Sequence, residues 1–294
     1  MSTADWTRRQ VGDVSLGGGT LLVAGVLFWG YLVTRWLIEW NWVPFGTPGE
    51  PLVDPAALGL GPGWTVAIGS LPSLAEGAYI TVVITVVAIA AGLVIAVPLA
   101  VFRVYGNLGK YVSLGFTELV RGTPLIAQLY VLYYGLNLSQ YFRGLATIGP
   151  IELDPALWVA LVGFTISSAA YQAEYIRAAI ESVDPQQLTA ARAVGLTQRE
   201  GIRHVVLPQT LRYGIPGWTN ELVYLIKYSS LATFITVSEL FREADAIASD
   251  TFRYTAMFTV VALMYIGIVL TATKLMSHVE TRVAIPGLGQ SEGR

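Results

Sequence analysis

A polar segment with the sequence QLTAARAVGLTQREGIRHVVLP (Gln187–Pro208) lies between two long apolar stretches. A segment this polar cannot cross the core of a bilayer as ordinary lipid-facing chain, because hydrocarbon offers no partners for its polar groups. We therefore expect it to lie in water. Its charges, and those of the other polar loops, predict on which side of a membrane that water is.

The composition is that of a membrane protein. Of the 294 residues, 54% are hydrophobic and only 13% are charged, and the mean hydropathy is +0.57. A soluble domain carries about a quarter charged residues, and a helix crosses a bilayer with about 20 apolar residues. The fold class predicted from these values is all-α, a polytopic helical membrane protein.

The rare residue types exclude several kinds of chemistry. The chain has no cysteine and two histidines. Disulfides, thiolate metal sites and thiol catalysis are therefore excluded, as is a histidine-rich metal site. No metal or cofactor is expected.

About six spans are predicted from apolar length. They are residues 19–38, 78–102, 114–137, 156–176, 213–235 and 255–277. Basic residues predict their orientation, because loops on the cytoplasmic side are rich in Lys and Arg. Most fall on one side: Arg8, Arg9, Arg103, Lys110, Arg177, Arg192, Arg199, Arg203, Arg212, Lys274, Arg282 and Arg294. The other side holds Arg35, Arg143, Arg242 and Arg253. Both termini and the 177–212 segment are therefore predicted to be cytoplasmic.

The cytoplasmic segment has the turn chemistry of two short helices. Asp184 is a candidate N-cap for a helix over Gln186–Val194, and Gly195 suits the left-handed residue that ends it. Thr197–Glu200 has the pattern of a capping box that begins a second helix. That helix is expected to end before Pro208, since the residue before a proline disfavours the α conformation. The alternative is a solvated loop that only connects two spans.

This segment resembles the EAA loop of ABC-transporter permease subunits. That pattern is EAA, three residues, Gly, nine residues, Ile, one residue and Leu-Pro. The matching positions here are Thr189, Ala190, Ala191, Gly195, Val205, Leu207 and Pro208. Thr189 replaces the glutamate and Val205 replaces the isoleucine. The resemblance implies that these residues couple the chain to an ATPase, with Ala190 and Ala191 leaving a flat face for its approach.

Further motifs resemble those of the polar amino acid uptake permeases. They are residues 118–125 (ELVRGTPL), 170–178 (AYQAEYIRA), 206–212 (VLPQTLR), 220–222 (NEL) and 227–231 (KYSSL). Ala178 replaces a glycine and Tyr228 replaces an aspartate. The resemblance covers about 75–282 and implies a type I ABC importer transmembrane fold with one extra N-terminal helix. The predicted organisation is 1–75 for the N-terminus, extra helix and external loop, 76–282 for the permease domain with its coupling loop at about 182–208, and 283–294 for a cytoplasmic tail.

The resemblance also implies the partners. No Gly-x-x-x-x-Gly-Lys-Ser/Thr phosphate loop is present in the sequence, so ATP hydrolysis is expected on separate ABC ATPase subunits and the chain is not expected to be an enzyme. A second permease subunit, identical or related, would complete the path through the lipid bilayer. An extracytoplasmic amino-acid-binding protein would deliver substrate to the 39–77, 139–155 and 236–254 surfaces. No nucleic acid partner is expected.

Polar residues within spans are candidates for the translocation path, because ionisable groups are costly at membrane depth. Glu118 and Arg121 share a helix face and could neutralise each other. Together with Thr123 they either line the path or belong to an elbow helix over 114–124, with the true span beginning near Pro124. The other candidates could equally serve packing or subunit pairing: Tyr171, Gln172, Asn220, Glu221 and Lys227.

Two other classes of protein fit less well. A stand-alone secondary transporter or channel for small polar solutes would show inverted repeats, and none is evident in the sequence. An intramembrane enzyme would need clustered nucleophiles or metal ligands at membrane depth, and no His, Cys or Asp falls within the predicted spans.

Overall fold

A computed structural model describes residues 18–43, 46–143 and 154–283, with backbone only for 18–22. Within these ranges the chain is helical and contains no strand. The predicted N-terminal tail and nearly all of the predicted C-terminal tail lie outside the described residues. The α-helices are α1 Gly18–Glu39, α2 Pro62–Gly69, α3 Leu71–Tyr105, α4 Leu108–Arg121, α5 Leu125–Tyr130, α6 Ser139–Phe142, α7 Pro155–Glu181, α8 Pro185–Ala193, α9 Gln198–Gly201, α10 Leu207–Tyr213, α11 Ile215–Tyr228, α12 Leu240–Thr251 and α13 Tyr254–Val283.

The chain forms two compact units, Met1–Gly49 and Glu50–Arg294. In the first, the added helix α1 ends in an ion pair between Arg35 and Glu39. The Glu39 carboxylate also accepts the N–H of Gly49 at 3.0 Å. In the second, α2 packs beside the start of α13, where Gly63 lies next to Ala256. The contacts therefore group the 50–69 segment with the larger unit.

Three described helices are long and apolar enough to cross a membrane: α3, α7 and α13. Helices α3 and α7 form the centre of the larger unit, because small residues let their backbones approach closely. A Cβ added at Gly92 on α3 would lie 2.8 Å from Gln172 Nε2 and 3.1 Å from the Ala169 nitrogen on α7. All three helices extend beyond the predicted spans. The total number of spans remains a prediction.

The predicted third span, 114–137, is not one helix. Helix α4 ends at Arg121, and α5 begins at Leu125 after the break at residues 122–124. Pro124 adopts an extended conformation and so starts a new helix instead of extending the old one. The exposed side chains of α4 include Leu108, Tyr111, Val112 and Leu119. An exposed apolar face of this kind suits contact with lipid, and the break falls where the elbow-helix alternative put it.

The predicted fifth span is also not one continuous α-helix. Helix α11 continues as a 3-10 helix, Ser229–Ile235. The 236–254 segment, predicted to be an external surface, consists mostly of the 12-residue helix α12. A Cβ added at Gly77 of α3 would lie only 2.8 Å from the Leu240 Cα, so α12 begins in close contact with α3. Phe252, in the left-handed region at φ +57°, turns the chain into α13.

Candidate functional site

The first helix of the coupling segment (residues 182–208) has the caps that its sequence predicts. The Asp184 carboxylate accepts the Gln186 N–H at 2.9 Å. Gly195 has φ +92°, a conformation that favours glycine. The Leu196 N–H bonds the Ala191 carbonyl at 3.1 Å and the Gly195 N–H bonds the Arg192 carbonyl at 3.0 Å. These two bonds complete a Schellman stop, so α8 ends as predicted.

The second helix begins as predicted but does not end before Pro208. Thr197 and Glu200 form a reciprocal capping box, with the Thr197 N–H donating to the carboxylate at 2.8 Å. A π turn, Ile202–Val206, follows α9, and the helix continues as α10. The expectation of a stop was wrong. Pro208 falls in the first turn of α10, where its missing N–H and fixed φ are tolerated.

The two short helices pack against each other. The Ala191 side chain is 6% exposed, and a Cβ added at Gly201 would lie 3.5 Å from the Ala191 Cβ and 2.7 Å from Leu188 Cδ1. Of the two alanines expected to form a flat docking face, only Ala190 is exposed. Ala191 instead holds α8 against α9.

The coupling segment is also anchored to the long helices. Val206 is buried in a cluster with Ile176 and Ile180 of α7, and Ala100 of α3 belongs to the same cluster. Leu188 packs against this cluster from α8. A force on the segment would therefore act directly on both helices. Among the remaining predicted coupling residues, Thr189, Gly195 and Pro208 are exposed, and Val205 and Leu207 are partly buried.

A cavity of about 560 Å³ lies between α4, α5, α7 and α11. Its walls carry one guanidinium, one carboxylate and four phenol rings. The lining residues are Arg121, Gly122, Thr123, Pro124, Leu125, Ile126, Ser167, Tyr171, Tyr175, Glu221, Tyr224, Leu225, Tyr228 and Leu231. The Arg121 guanidinium carbon lies 5.4 Å from the centre of the Tyr171 ring, within the range of a cation–π contact. The cavity is thus lined by a guanidinium group from α4 and a carboxyl group from α11.

The cavity contains four of the eight predicted path residues: Arg121, Thr123, Tyr171 and Glu221. Gln172 does not line it, because its amide donates to the Ile89 carbonyl at 3.0 Å and to Ser168 Oγ at 2.9 Å, between α3 and α7. Three others do not line it: Glu118, Asn220 and Lys227. Within the described ranges Glu118 and Arg121 form no ion pair, so the expected neutralisation between them is not observed.

The sequence-based interpretation missed Tyr175, Tyr224 and Tyr228. Helical spacing could have found them. Tyr175 follows Tyr171 by four residues, and Tyr224 and Tyr228 follow Glu221 by three and seven, so each set lies on one face. Asn220 and Lys227 are each one residue out of this register. The Lys227 ammonium instead lies 5.3 Å from the centre of the Tyr224 ring.

Within the described residues, no group of three or more His, Cys, Asp or Glu side chains could hold a metal ion.

Solved structures share this helical arrangement. One, described as an amino acid ABC transporter with histidines, is 32% identical and covers 74% of this chain and 98% of its own, with a TM-score of 0.64. A second, an inward-facing conformation of the MetNI methionine ABC transporter, is 19% identical with a TM-score of 0.59 and supports the fold alone. The fold is that of a type I ABC importer permease.

Curated relatives of this chain are also named as transport permease proteins. The glutamine transport system permease protein GlnP of Escherichia coli (strain K12) is 33% identical over 223 residues, which is 76% of this chain and 98% of the relative. The probable amino-acid ABC transporter permease protein YckA of Bacillus subtilis (strain 168) is 36% identical over 220 residues, 74% of this chain and 92% of the relative. Residues 88–285 match the family described as binding-protein-dependent transport system inner membrane component. The chain belongs to this family of membrane permeases.

Proposed function

We propose that this chain is the membrane-embedded permease subunit of an ATP-driven importer for polar amino acids, with ATP hydrolysis on a separate chain. The observation that carries the proposal is the anchoring of the coupling segment. Two short, tightly capped helices are joined through Val206 and Leu188 to the buried ends of α3 and α7. A partner that pushes on this segment would tilt α3 and α7, and α7 is one of the helices that border the cavity.

The partners follow from this arrangement. ABC ATPase subunits would dock on the coupling segment through Thr189, Ala190, Gly195 and their neighbours. A second permease subunit, identical or related, would close the path, and an extracytoplasmic binding protein would deliver the amino acid. The excess of Lys and Arg on one side supports a cytoplasmic position for the coupling segment and both termini.

The cavity is the part of the path that this subunit contributes. A polar amino acid carries a carboxylate and an ammonium at neutral pH. Arg121 and Glu221 offer one opposite charge for each, and the tyrosine rings offer hydroxyl groups and apolar faces. Recognition by so few charges is weak enough to allow release, which a transport path requires.

The test is uptake of a labelled amino acid into proteoliposomes that hold this chain, its ATPase and its binding protein. Uptake should depend on ATP on the ATPase side. Gly195→Val should abolish it, because a β-branched residue is strongly disfavoured at φ +92°. Gly115→Val is the matched control, since no atom lies within 4 Å of a Cβ added there.

The alternative, a stand-alone secondary transporter, predicts a different result. In that case the purified chain alone would accumulate the amino acid under an ion gradient, without ATP or an ATPase. Such uptake would overturn the proposal. Normal ATP-driven uptake by Gly195→Val would instead exclude the coupling role given to residues 182–208.

A further inference from the structure

The two carboxylates of the coupling segment accept hydrogen bonds from other residues of the same segment. Asp184 caps α8, and Glu200 accepts both the N–H of Thr197, at 2.8 Å, and its hydroxyl, at 2.7 Å. The Thr197 hydroxyl, followed by its N–H, lowers the pKa of Glu200 from its ordinary value. Both acids are therefore already hydrogen-bonded within the segment, and residues 182–208 contain no other Asp or Glu.

The arginines of the coupling segment, in contrast to its carboxylates, are not neutralised within the segment. Arg192, Arg199 and Arg203 are exposed, and none of them forms an ion pair with any described residue. Arg177, at the end of α7, shows the contrast, because Glu174 and Glu181 bind its guanidinium at 2.8 and 2.6 Å. The segment thus presents three unneutralised guanidinium groups to its surroundings.

An apolar side chain lies among these arginines. Val194 is 80% exposed, and a Cβ added at the neighbouring Gly195 would meet no atom within 4 Å. Elsewhere exposed apolar side chains on the long helices can face lipid. Val194 lies in the turn between α8 and α9, which pack on each other. On either side of this turn, Leu188 and Val206 contact the cluster of α3 and α7. The turn is therefore the part of the segment farthest along the chain from those anchors.

We propose that this turn seats in an electronegative groove of the partner ATPase, with Val194 in an apolar depression and carboxylates of the ATPase opposite Arg192, Arg199 and Arg203. This inference rests on the proposed function and adds the chemistry of the partner surface. Thr189, where the EAA pattern has glutamate, contributes no negative charge to the contact. The charged side chains that the segment offers to this contact are then all positive. An ATPase with a basic groove would not bind, because like charges repel.

The experiment measures the Kd of the purified ATPase of the same transport system for the full-length chain in nanodiscs, at low and high salt. Charge reversal at Arg192, Arg199 or Arg203 to Glu should each raise the Kd by about tenfold at low salt, and the neutral Gln variants should fall between. Thr189→Glu should also weaken binding. High salt should reduce these differences, since it screens exposed charges.

Arg212→Glu is the matched control, because Arg212 is an exposed arginine at the end of α10, outside the turn. Its Kd should equal that of the unmodified chain. Since all the substituted side chains are exposed, the thermal unfolding midpoint of every variant should be unchanged, which separates loss of contact from loss of fold.

The outcomes are distinguishable. If the reversals leave the Kd unchanged while Gly195→Val weakens binding, or if Thr189→Glu strengthens it, the electronegative groove is excluded and the proposed function stands. If the unmodified chain binds no ATPase, both proposals fail. Repeating the series in phosphatidylcholine nanodiscs with and without phosphatidylglycerol tests for lipid binding. An effect of reversal seen only with the anionic lipid would assign the arginines to the bilayer and overturn the inference.

Discussion

The phenol of Tyr265 donates a hydrogen bond of 2.9 Å to Oε2 of Glu239, a carboxylate with no exposed surface. The same carboxylate accepts the N–H groups of Phe241 and Arg242 at 2.9 and 2.8 Å. Glu239 is thus the N-cap of α12, and Tyr265 attaches that cap to α13. The contact joins α12 and α13 into a helical hairpin that packs against α3. In the predicted topology this hairpin and the coupling segment lie on opposite sides of the membrane.

Removing the Tyr265 hydroxyl should destabilise this hairpin. Tyr265→Phe leaves one buried oxygen of Glu239 without its donor, and a buried acceptor left unsatisfied costs about 1–3 kcal/mol. The free energy of unfolding in detergent should fall by an amount in that range. Tyr254→Phe is the control, because its hydroxyl is exposed and makes only a 3.5 Å contact with Ser249. Equal stability of the two variants would contradict the role given to Tyr265.

Gly77→Ala should disturb the same hairpin from the side of α3. A Cβ at Gly77 would lie 2.8 Å from the Leu240 Cα and 2.9 Å from its nitrogen, so backbone must move. Such overpacking costs about 1–3 kcal/mol. The thermal unfolding midpoint should fall for Gly77→Ala and should stay level or rise for Gly115→Ala, where the added methyl meets nothing within 4 Å. A Gly77→Ala chain as stable as the unmodified one would show that α12 can shift freely.

Charge removal in the cavity should impair transport without affecting ATPase binding. Arg121→Gln and Glu221→Gln each remove one of the two lining charges, and loss of a charged hydrogen bond should lower uptake by about tenfold or more. Lys110→Gln is the control, because Lys110 is charged, exposed and on the same helix as Arg121 but does not line the cavity. Rates of ATP-driven uptake, with ATPase copurification measured in parallel, provide the check. A loss for Lys110→Gln as large as for the other two would remove the cavity from the path.

The capping box of α9 should be sensitive to acid. Hydrogen bonds from Thr197 hold the pKa of Glu200 below its ordinary value of 4.5. A lowered pKa in the folded chain means that the stabilisation is present above the ordinary pKa and is lost as the pH falls through the lowered value. Amide hydrogen exchange over 197–203, corrected for intrinsic rates, should therefore lose protection at acidic pH. In Glu200→Gln the protection should not vary over this pH range; a titration that persists there would assign the effect to another group.

Much of the coupling segment could be predicted from the sequence because its determinants are local. Asp184, Gly195 and the Thr197–Glu200 pair act on backbone groups no more than a few residues away, so residue type and spacing were sufficient. The stop at Pro208 was predicted wrongly. The π turn before it allows the helix to continue, and the burial of Val206 against α3 and α7 favours that continuation.

The path required the tertiary structure. Polarity within the predicted spans placed Gln172 and Lys227 among its residues and left out Tyr175, Tyr224 and Tyr228, because which face of a helix borders a cavity depends on how its neighbours pack. Apolar length and charge distribution by themselves determined that the chain is a helical membrane protein, since transfer from water to hydrocarbon depends on composition. The Glu239–Tyr265 contact and the cavity between α4, α5, α7 and α11 were decided only by contacts between residues far apart in the sequence, whose energies no local pattern records.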